Sequence, residues 1–389
     1  MRTSVILFLL FLILDSCNKK DNDGGNLPAS RIYYSTEKFV MGADLSYVNQ
    51  ILDFGGVYKD SGNTENPYAI FKKYGANVIR LRLWHNPQWT KTVYNPPIAN
   101  MYNDFADVKK GILAAKAQGM ASCLDFHYSD SWADRGKQVP PAVWTGLSNS
   151  DLYDSIYNYT LKTLDRLEAA NAMPEYVQAG NEINPGFVLP QGDRWNKTND
   201  FVYLINGAIK GIRDASASSA VKPKIIIHIA QPENVYAWLD GLVVKGLTDY
   251  DIIGFSYYYI WSGIGLKNIS NYVSLLKNSF NKDVMIMETI YPWTTQNADN
   301  YGNFVDAGKL NSDYQATKEG QYKYMHDLTQ EVIAGGGKGI FPWEPAWITS
   351  NLKDSWGTGS AWDCNTFFDF TGNSIKGIRY MSDKYIFNE

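Results

Sequence analysis

Eight short apolar runs recur along the chain: Phe39–Ala43, Asn77–Leu83, Ala121–Phe126, Tyr176–Ala179, Lys224–Ala230, Ile252–Ser256, Val284–Met287 and Gly339–Trp343. They read as buried strands. Between them the period changes. Phe105, Val108, Ile112 and Ala115 recur at spacings of three and four, as do Tyr322, Met325, Leu328 and Val332, which puts an apolar stripe on one helical face. Further helices are predicted over Pro67–Tyr74, Asp151–Ala170, Asn199–Ala215, Pro232–Val244, Ile269–Phe280 and near Ser374–Tyr385. Strands that alternate with helices eight times predict an α/β protein built as a single (β/α)8 TIM barrel. A doubly wound open sheet is the competing architecture. It fits less well, because no Gly-x-Gly-x-x-Gly turn follows the first strand. Gly335-Gly-Gly-Lys-Gly339 precedes a strand instead of opening a helix, so it reads as a connecting loop rather than a phosphate cradle.

A barrel of this kind carries its chemistry at the C-terminal ends of its strands. The first run ends at Asp44, the second at Arg80, Arg82 and Trp84, and the third at Asp125, His127 and Tyr128. The fourth ends at Asn181 and Glu182, the sixth at Tyr257, the seventh at Glu288 and the eighth at Trp343 and Glu344. One rim therefore collects acids, arginines and aromatics, while the strand interiors stay apolar. A carboxylate at the tip of an apolar strand is costly unless it has a partner or a task. Glycosidic bond cleavage needs two such groups, and tips on strands four and seven can bracket a sugar with carboxyls roughly 5 Å apart, the retaining geometry. On spacing alone, structural ion pairs of Glu182 and Glu288 with Arg80 and Arg82 account for the pattern equally well. Arg80 and Arg82 alternate with apolar neighbours, and one of the two is expected to point into the barrel while the other serves a structural ion pair.

Composition sharpens this picture only at certain points. The 389 residues carry a net charge of −4 and no basic run, which argues against a nucleic-acid partner. The 12 Trp and 27 Tyr suit stacking on sugar faces, although aromatics also fill cores. Arg2, the apolar run Val5–Leu14 and Cys17 resemble a bacterial lipoprotein signal over residues 1–16, too short to span a bilayer, with lipid on the Cys17 thiol. Residues 17–30 are expected to form a polar, flexible tether, and 31–389 the catalytic domain. The expected location is the cell envelope, at the outer-membrane surface or in the periplasm, with the lipid anchor as the only membrane contact. Cys123 reads as a buried thiol, and its pairing with Cys364 stays open at this level.

Longer stretches carry a family resemblance. Gly42-Ala-Asp-Leu-Ser46, Val78-Ile-Arg-Leu-Arg-Leu-Trp84, Asp125-Phe-His-Tyr-Ser-Asp-Ser-Trp-Ala-Asp134 and Gly180-Asn-Glu-Ile-Asn184 resemble endo-β-1,4-galactanases of glycoside hydrolase family 53. So do Gly254-Phe-Ser-Tyr-Tyr258, Glu288-Thr-Ile-Tyr-Pro-Trp293 and Trp343-Glu-Pro-Ala-Trp347. The resemblance implies retaining, endo-acting hydrolysis of β-1,4-galactan, with Glu182 as general acid/base and Glu288 as nucleophile. It implies that Asn181 bonds the sugar 2-hydroxyl, that Arg80 holds the nucleophile ionised, and that Tyr257 also contacts it. Trp343 would underlie the sugar at the cleavage point, and Asp44, Trp84, His127, Trp132 and Trp293 would line neighbouring subsites. A β-1,4-mannanase or glucanase of the same clan, and a glycan-binding lipoprotein without turnover, are the alternatives. Trp89, Trp195, Trp238 and Trp261 read as packing. No cofactor is expected for catalysis. Asn297, Asp299 and Asn303 offer oxygens at alternating positions beside a Gly, a candidate structural calcium site.

Overall fold

The computed structural model describes residues 38–305 and 310–387. The signal segment, Cys17 and the tether lie outside the described residues. Eight parallel strands close into a barrel: β1 (Val40–Asp44), β2 (Val78–Leu83), β3 (Ala121–Phe126), β4 (Tyr176–Ala179), β5 (Lys224–Ala230), β6 (Ile252–Ser256), β7 (Asp283–Thr289) and β8 (Gly339–Pro342). Each pairs with its neighbours in chain order, and β8 closes the ring by pairing with β1. The barrel expectation holds.

The outer layer comprises α1 (Pro67–Lys73), α2 (Phe105–Ala117), α3 (Asn149–Ala169), α4 (Thr198–Ala215), α5 (Pro232–Leu239), α6 (Ile269–Phe280) and α7 (Lys318–Ala334). Their starts are set by side-chain caps that satisfy otherwise orphan N–H groups. Asn66 caps α1 ahead of Pro67, Asp104 caps α2, Ser148 caps α3 and Thr317 caps α7. The predicted stripes face inward, with Val108, Ile112 and Ala115 buried on α2 and Met325, Leu328 and Val332 buried on α7. Two helical expectations need correction. Helix α5 stops at Leu239 instead of Val244, because Asp240 is extended and Gly241 sits at φ 73°. The last element is a short 3-10 segment, Lys376–Ser382, instead of an α-helix over Ser374–Tyr385. Extended residues Ile375 and Asp383 bound it on either side.

The lumen is filled in layers. Val40, Val78, Ala121, Cys123, Tyr176, Ile226, Ile252, Met285, Met287 and Phe341 form a closed apolar plug inside the strands. Phe341 fits because Gly42 faces it, where a Cβ would lie 2.1 Å from the ring. Above this plug the inward positions turn polar, and that change of chemistry begins the site. Cys123 and Cys364 are both buried, and no disulfide joins them.

Candidate active site

Side chains two positions apart on a strand share a face. The inward set therefore runs Val78, Arg80, Arg82 on β2 and Cys123, Asp125 on β3, and it continues with Gln178 on β4, His228 on β5 and Ser256 on β6. These groups form one network. Arg80 is its centre: Nη1 donates to Asp44 Oδ2 at 2.8 Å and to Glu288 Oε1 at 3.0 Å, and Nη2 donates to Asp125 Oδ2 at 2.8 Å and to Asn181 Oδ1 at 2.9 Å. Gln178 Nε2 donates to Asp125 Oδ1 at 2.6 Å and lies 2.9 Å from His228 Nδ1. Burial drives the His228 imidazole well below its ordinary pKa, and the Arg80 charge adds to the effect. A neutral His228 that accepts at Nδ1 carries its hydrogen on Nε2, which lies 2.9 Å from Ser256 Oγ. Ser256 in turn donates to Glu182 Oε1 at 2.5 Å.

The polar layer thus ends on two carboxyls. Glu182 follows β4 in a left-handed conformation, φ 44°, and is half-buried. Glu288 sits at a register shift between β6 and β7 and is 7% exposed. Its Oε2 accepts from the Tyr258 hydroxyl at 3.1 Å. Burial pushes the Glu288 carboxyl up to about 8; Arg80 pulls against this, while Glu182, Asp44 and Asp125 add to it. Burial also raises Glu182, opposed by the hydrogen bond from Ser256. Asp125 is held below its ordinary value: burial works to raise it, but the attraction of Arg80 and His127 prevails.

Both carboxyls line one cleft of about 670 Å³. Its walls are aromatic: Trp132 from the loop after β3, Tyr258 and Trp261 from the loop after β6, Phe304 from the loop after β7, and Trp343, Trp347, Trp356 and Trp362 from the segment after β8. Two acids on separate strands, held in one aromatic cleft over a hydrogen-bonded floor, are the parts that glycosidic cleavage requires. Residues 40–381 match the family model of glycosyl hydrolase family 53.

The chain belongs to glycosyl hydrolase family 53. It is 38% identical to an arabinogalactan endo-β-1,4-galactanase of Cellvibrio japonicus, over 89% of this chain and 91% of that protein. It is 29% identical to an endo-β-1,4-galactanase of Bacillus subtilis, over 88% of this chain and 85% of the relative. The solved family 53 catalytic domain of Ignisphaera aggregans superposes with a TM-score of 0.79 at 32% identity, over 88% of this chain and 95% of that one. The protein is a glycoside hydrolase, and hydrolysis on two carboxyls needs no cofactor.

Against this family 53 frame the expected site residues divide. Glu182, Glu288, Asn181, Trp132 and Trp343 all line the cleft. Asn181 Nδ2 gives one hydrogen to the Ala133 carbonyl at 2.9 Å and retains a second. Asp44, Trp84 and His127 are buried one layer behind the lining. Asp44 anchors Arg80. His127 Nε2 lies 3.1 Å from Asp125 Oδ2, and its Nδ1 accepts from the Ala133 N–H at 3.0 Å and from Trp84 Nε1 at 3.2 Å. Trp84 and His127 thereby pack against the loop that carries Trp132. Trp293 is half-buried away from the cleft, against Phe370 at 4.9 Å.

Further corrections follow from side-chain parity. Tyr257 was expected on the nucleophile, but its hydroxyl donates to the Ile264 carbonyl at 2.9 Å, and only its backbone N–H reaches Glu288, at the carbonyl. Tyr258 shares a face with Ser256 and takes the inward role. Arg80 reaches Glu288 and is also shared with Asp44 and Asp125. Both Arg80 and Arg82 point inward, as their two-residue spacing requires. Arg82 Nη2 lies 2.8 Å from Glu344 Oε1, with Tyr47 and Trp132 rings at 4.3 and 4.2 Å from its guanidinium carbon. Trp261 lines the cleft instead of packing in the core. Gln178, His228 and Ser256 were missed, although a Gln and a His inside otherwise apolar runs were a visible signal.

The candidate calcium residues are engaged by protein donors. Asn303 Nδ2 donates to Asn297 Oδ1 and to Asp363 Oδ1, and Asp299 accepts from the Tyr301 and Ser360 N–H groups and the Thr349 hydroxyl. Among the described residues no cluster of His, Cys, Asp and Glu is placed to hold a metal ion.

Proposed function

We propose that this family 53 hydrolase is an endo-acting, retaining β-1,4-galactanase in which Glu182 is the general acid/base and Glu288 the nucleophile. The observation that supports the assignment is the pairing of each acid. Glu288 accepts hydrogen bonds from Arg80 and Tyr258, both of which favour its charged form. Glu182 is bonded only by the Ser256 hydroxyl and, at 3.4 Å, the Arg135 N–H. In the first step the Glu288 carboxylate attacks the anomeric carbon while Glu182 gives its proton to the departing glycosidic oxygen. The product is a glycosyl ester on Glu288 and a shortened chain that leaves. Loss of the Glu288 charge lowers the pKa of Glu182, which then takes a proton from water as that water attacks the same carbon. The ester bond breaks, and both inversions together retain the anomeric configuration.

Wild-type protein incubated with linear β-1,4-galactan should release oligosaccharides of several sizes from the outset, with the β-anomer formed first by NMR. Turnover of β-1,4-mannan or cellulose without turnover of galactan would overturn the substrate assignment.

We further propose that the enzyme is tethered to the cell envelope through lipid on Cys17, a reading supported by the apolar run Val5–Leu14 just before it. Cys17→Ala should yield soluble, active protein. Continued fractionation of that variant with membranes would overturn the tether.

A further inference from the structure

Gln231 follows β5, ahead of Pro232 and helix α5. Two features there are unfavourable on their own. Its backbone is held at φ 66° and ψ 128°, a region that residues other than glycine rarely occupy. Its side chain is almost fully buried, with the residue 4% exposed, and no donor reaches its buried Oε1. A buried acceptor without a partner costs its full desolvation. A glycine would remove the first cost and an apolar residue the second, yet neither stands there. Gln231 lines the same cleft as Glu182 and Glu288, and its N–H donates at 3.0 Å to the carbonyl of Ser256, the residue that holds Glu182.

We infer that the Gln231 amide binds a hydroxyl of the sugar on the leaving-group side of the scissile bond. The inference rests on the galactanase reading above. Glu288 enters from β7 and must face the anomeric carbon. Glu182 enters from β4 and must face the glycosidic oxygen. On one flank of Glu182, Asn181 is tied to Arg80, and so to the nucleophile and the ring under attack. On its other flank, one strand along, stands Gln231, with Trp261 on the next loop. On this inference that wall receives the sugar released by Glu182. A sugar hydroxyl donating to Oε1 completes a bond the protein leaves unmade, and an Asx- or Gln-type amide offers both donor and acceptor to a ring with adjacent hydroxyls.

Two variants separate the amide from the backbone. Gln231→Gly removes the amide and relaxes the backbone; Gln231→Met removes the amide and keeps the strain and volume. Both are assayed on linear galactan and on 2,4-dinitrophenyl β-galactobioside, whose leaving group is no sugar. Both should lose about tenfold in kcat/KM on galactan, the size of one lost hydrogen bond, and less than twofold on the aryl substrate. Transfer of the glycosyl-enzyme to added galactobiose, relative to hydrolysis, should fall in parallel. Galactan activity within twofold of wild type in either variant, or equal losses on both substrates, overturns the inference. A wild type that cleaves neither substrate overturns the galactanase reading itself, which distinguishes the two failures.

Discussion

The Tyr258 hydroxyl donates to Glu288 Oε2 at 3.1 Å. The adjacent Tyr257 turns its own hydroxyl away, to the Ile264 carbonyl. Tyr258→Phe therefore removes one of two side-chain donors to the nucleophile, and kcat/KM on galactan should fall about tenfold. Tyr257→Phe should cost about 1 kcal/mol of stability through the Ile264 carbonyl and change kcat/KM less than twofold. Steady-state kinetics and denaturant unfolding of both variants check this. The reverse ranking in activity would return the role to Tyr257.

The pair reflects how far the sequence could be read. Strand positions were legible because β3, β4, β5 and β6 are short apolar runs with sharp polar ends. The two glutamates were legible because a carboxylate at such an end has few structural excuses. Two-residue parity carried on from Ser256 places Tyr258 beside Glu288, whereas the family resemblance pointed to Tyr257. Depth was hidden. Asp44, Trp84 and His127 have the residue types of a binding site, but they are buried behind the cleft lining. Trp261 and Trp356 carry no periodic signal, since they sit in irregular loops, and Trp356 is 60% exposed at the cleft wall.

Burial and the surrounding carboxylates push Glu288 up to about 8, against Arg80, and burial raises Glu182 as well. The two titrate as a pair, and the reactive form carries one proton between them. kcat/KM should fall on the basic side of the profile, where that proton is lost. Asp44→Asn removes a neighbouring negative charge and should move this basic limb to lower pH.

The same shift has a sign in stability. A carboxyl raised from an ordinary 4.5 to about 8 binds its proton more tightly in the folded protein than in the unfolded chain. Its stabilising contribution is complete below 4.5 and is lost as pH rises through about 8. Glu288→Gln has no such proton to lose. Its melting temperature relative to wild type should rise by about 2 °C or more between pH 5 and pH 8. A difference that stays constant across that range would show that Glu288 titrates near its ordinary value.

Arg82 and Glu344 form a second buried pair, and Arg82 also supports Trp132 from below. Arg82→Met strands the Glu344 carboxyl and should destabilise the fold by roughly 3–5 kcal/mol. Adding Glu344→Gln removes the stranded charge, so the double variant should be more stable than Arg82→Met alone. Denaturant unfolding of the full cycle measures the coupling. A double variant less stable than Arg82→Met would mean that the pair is not an electrostatic unit.

The roles of Glu182 and Glu288 are separable by the chemistry each one lacks when removed. Glu288→Ala leaves no group to form the glycosyl ester, so turnover should vanish with every substrate. Added azide can occupy the space of the lost carboxylate, attack the anomeric carbon once and give the α-galactosyl azide, with inverted configuration. Glu182→Ala still holds its nucleophile. Galactan cleavage, which requires protonation of a sugar leaving group, should fall about 10²- to 10⁴-fold. Formation of the glycosyl-enzyme from dinitrophenyl β-galactobioside should be spared, because that leaving group departs without a proton. Azide then intercepts the ester from the face where water would have come, and the product is the β-galactosyl azide, with retained configuration. NMR of the two azides decides the assignment. Near-wild-type activity on galactan in either variant, or an inverted anomer from the wild type, would overturn it.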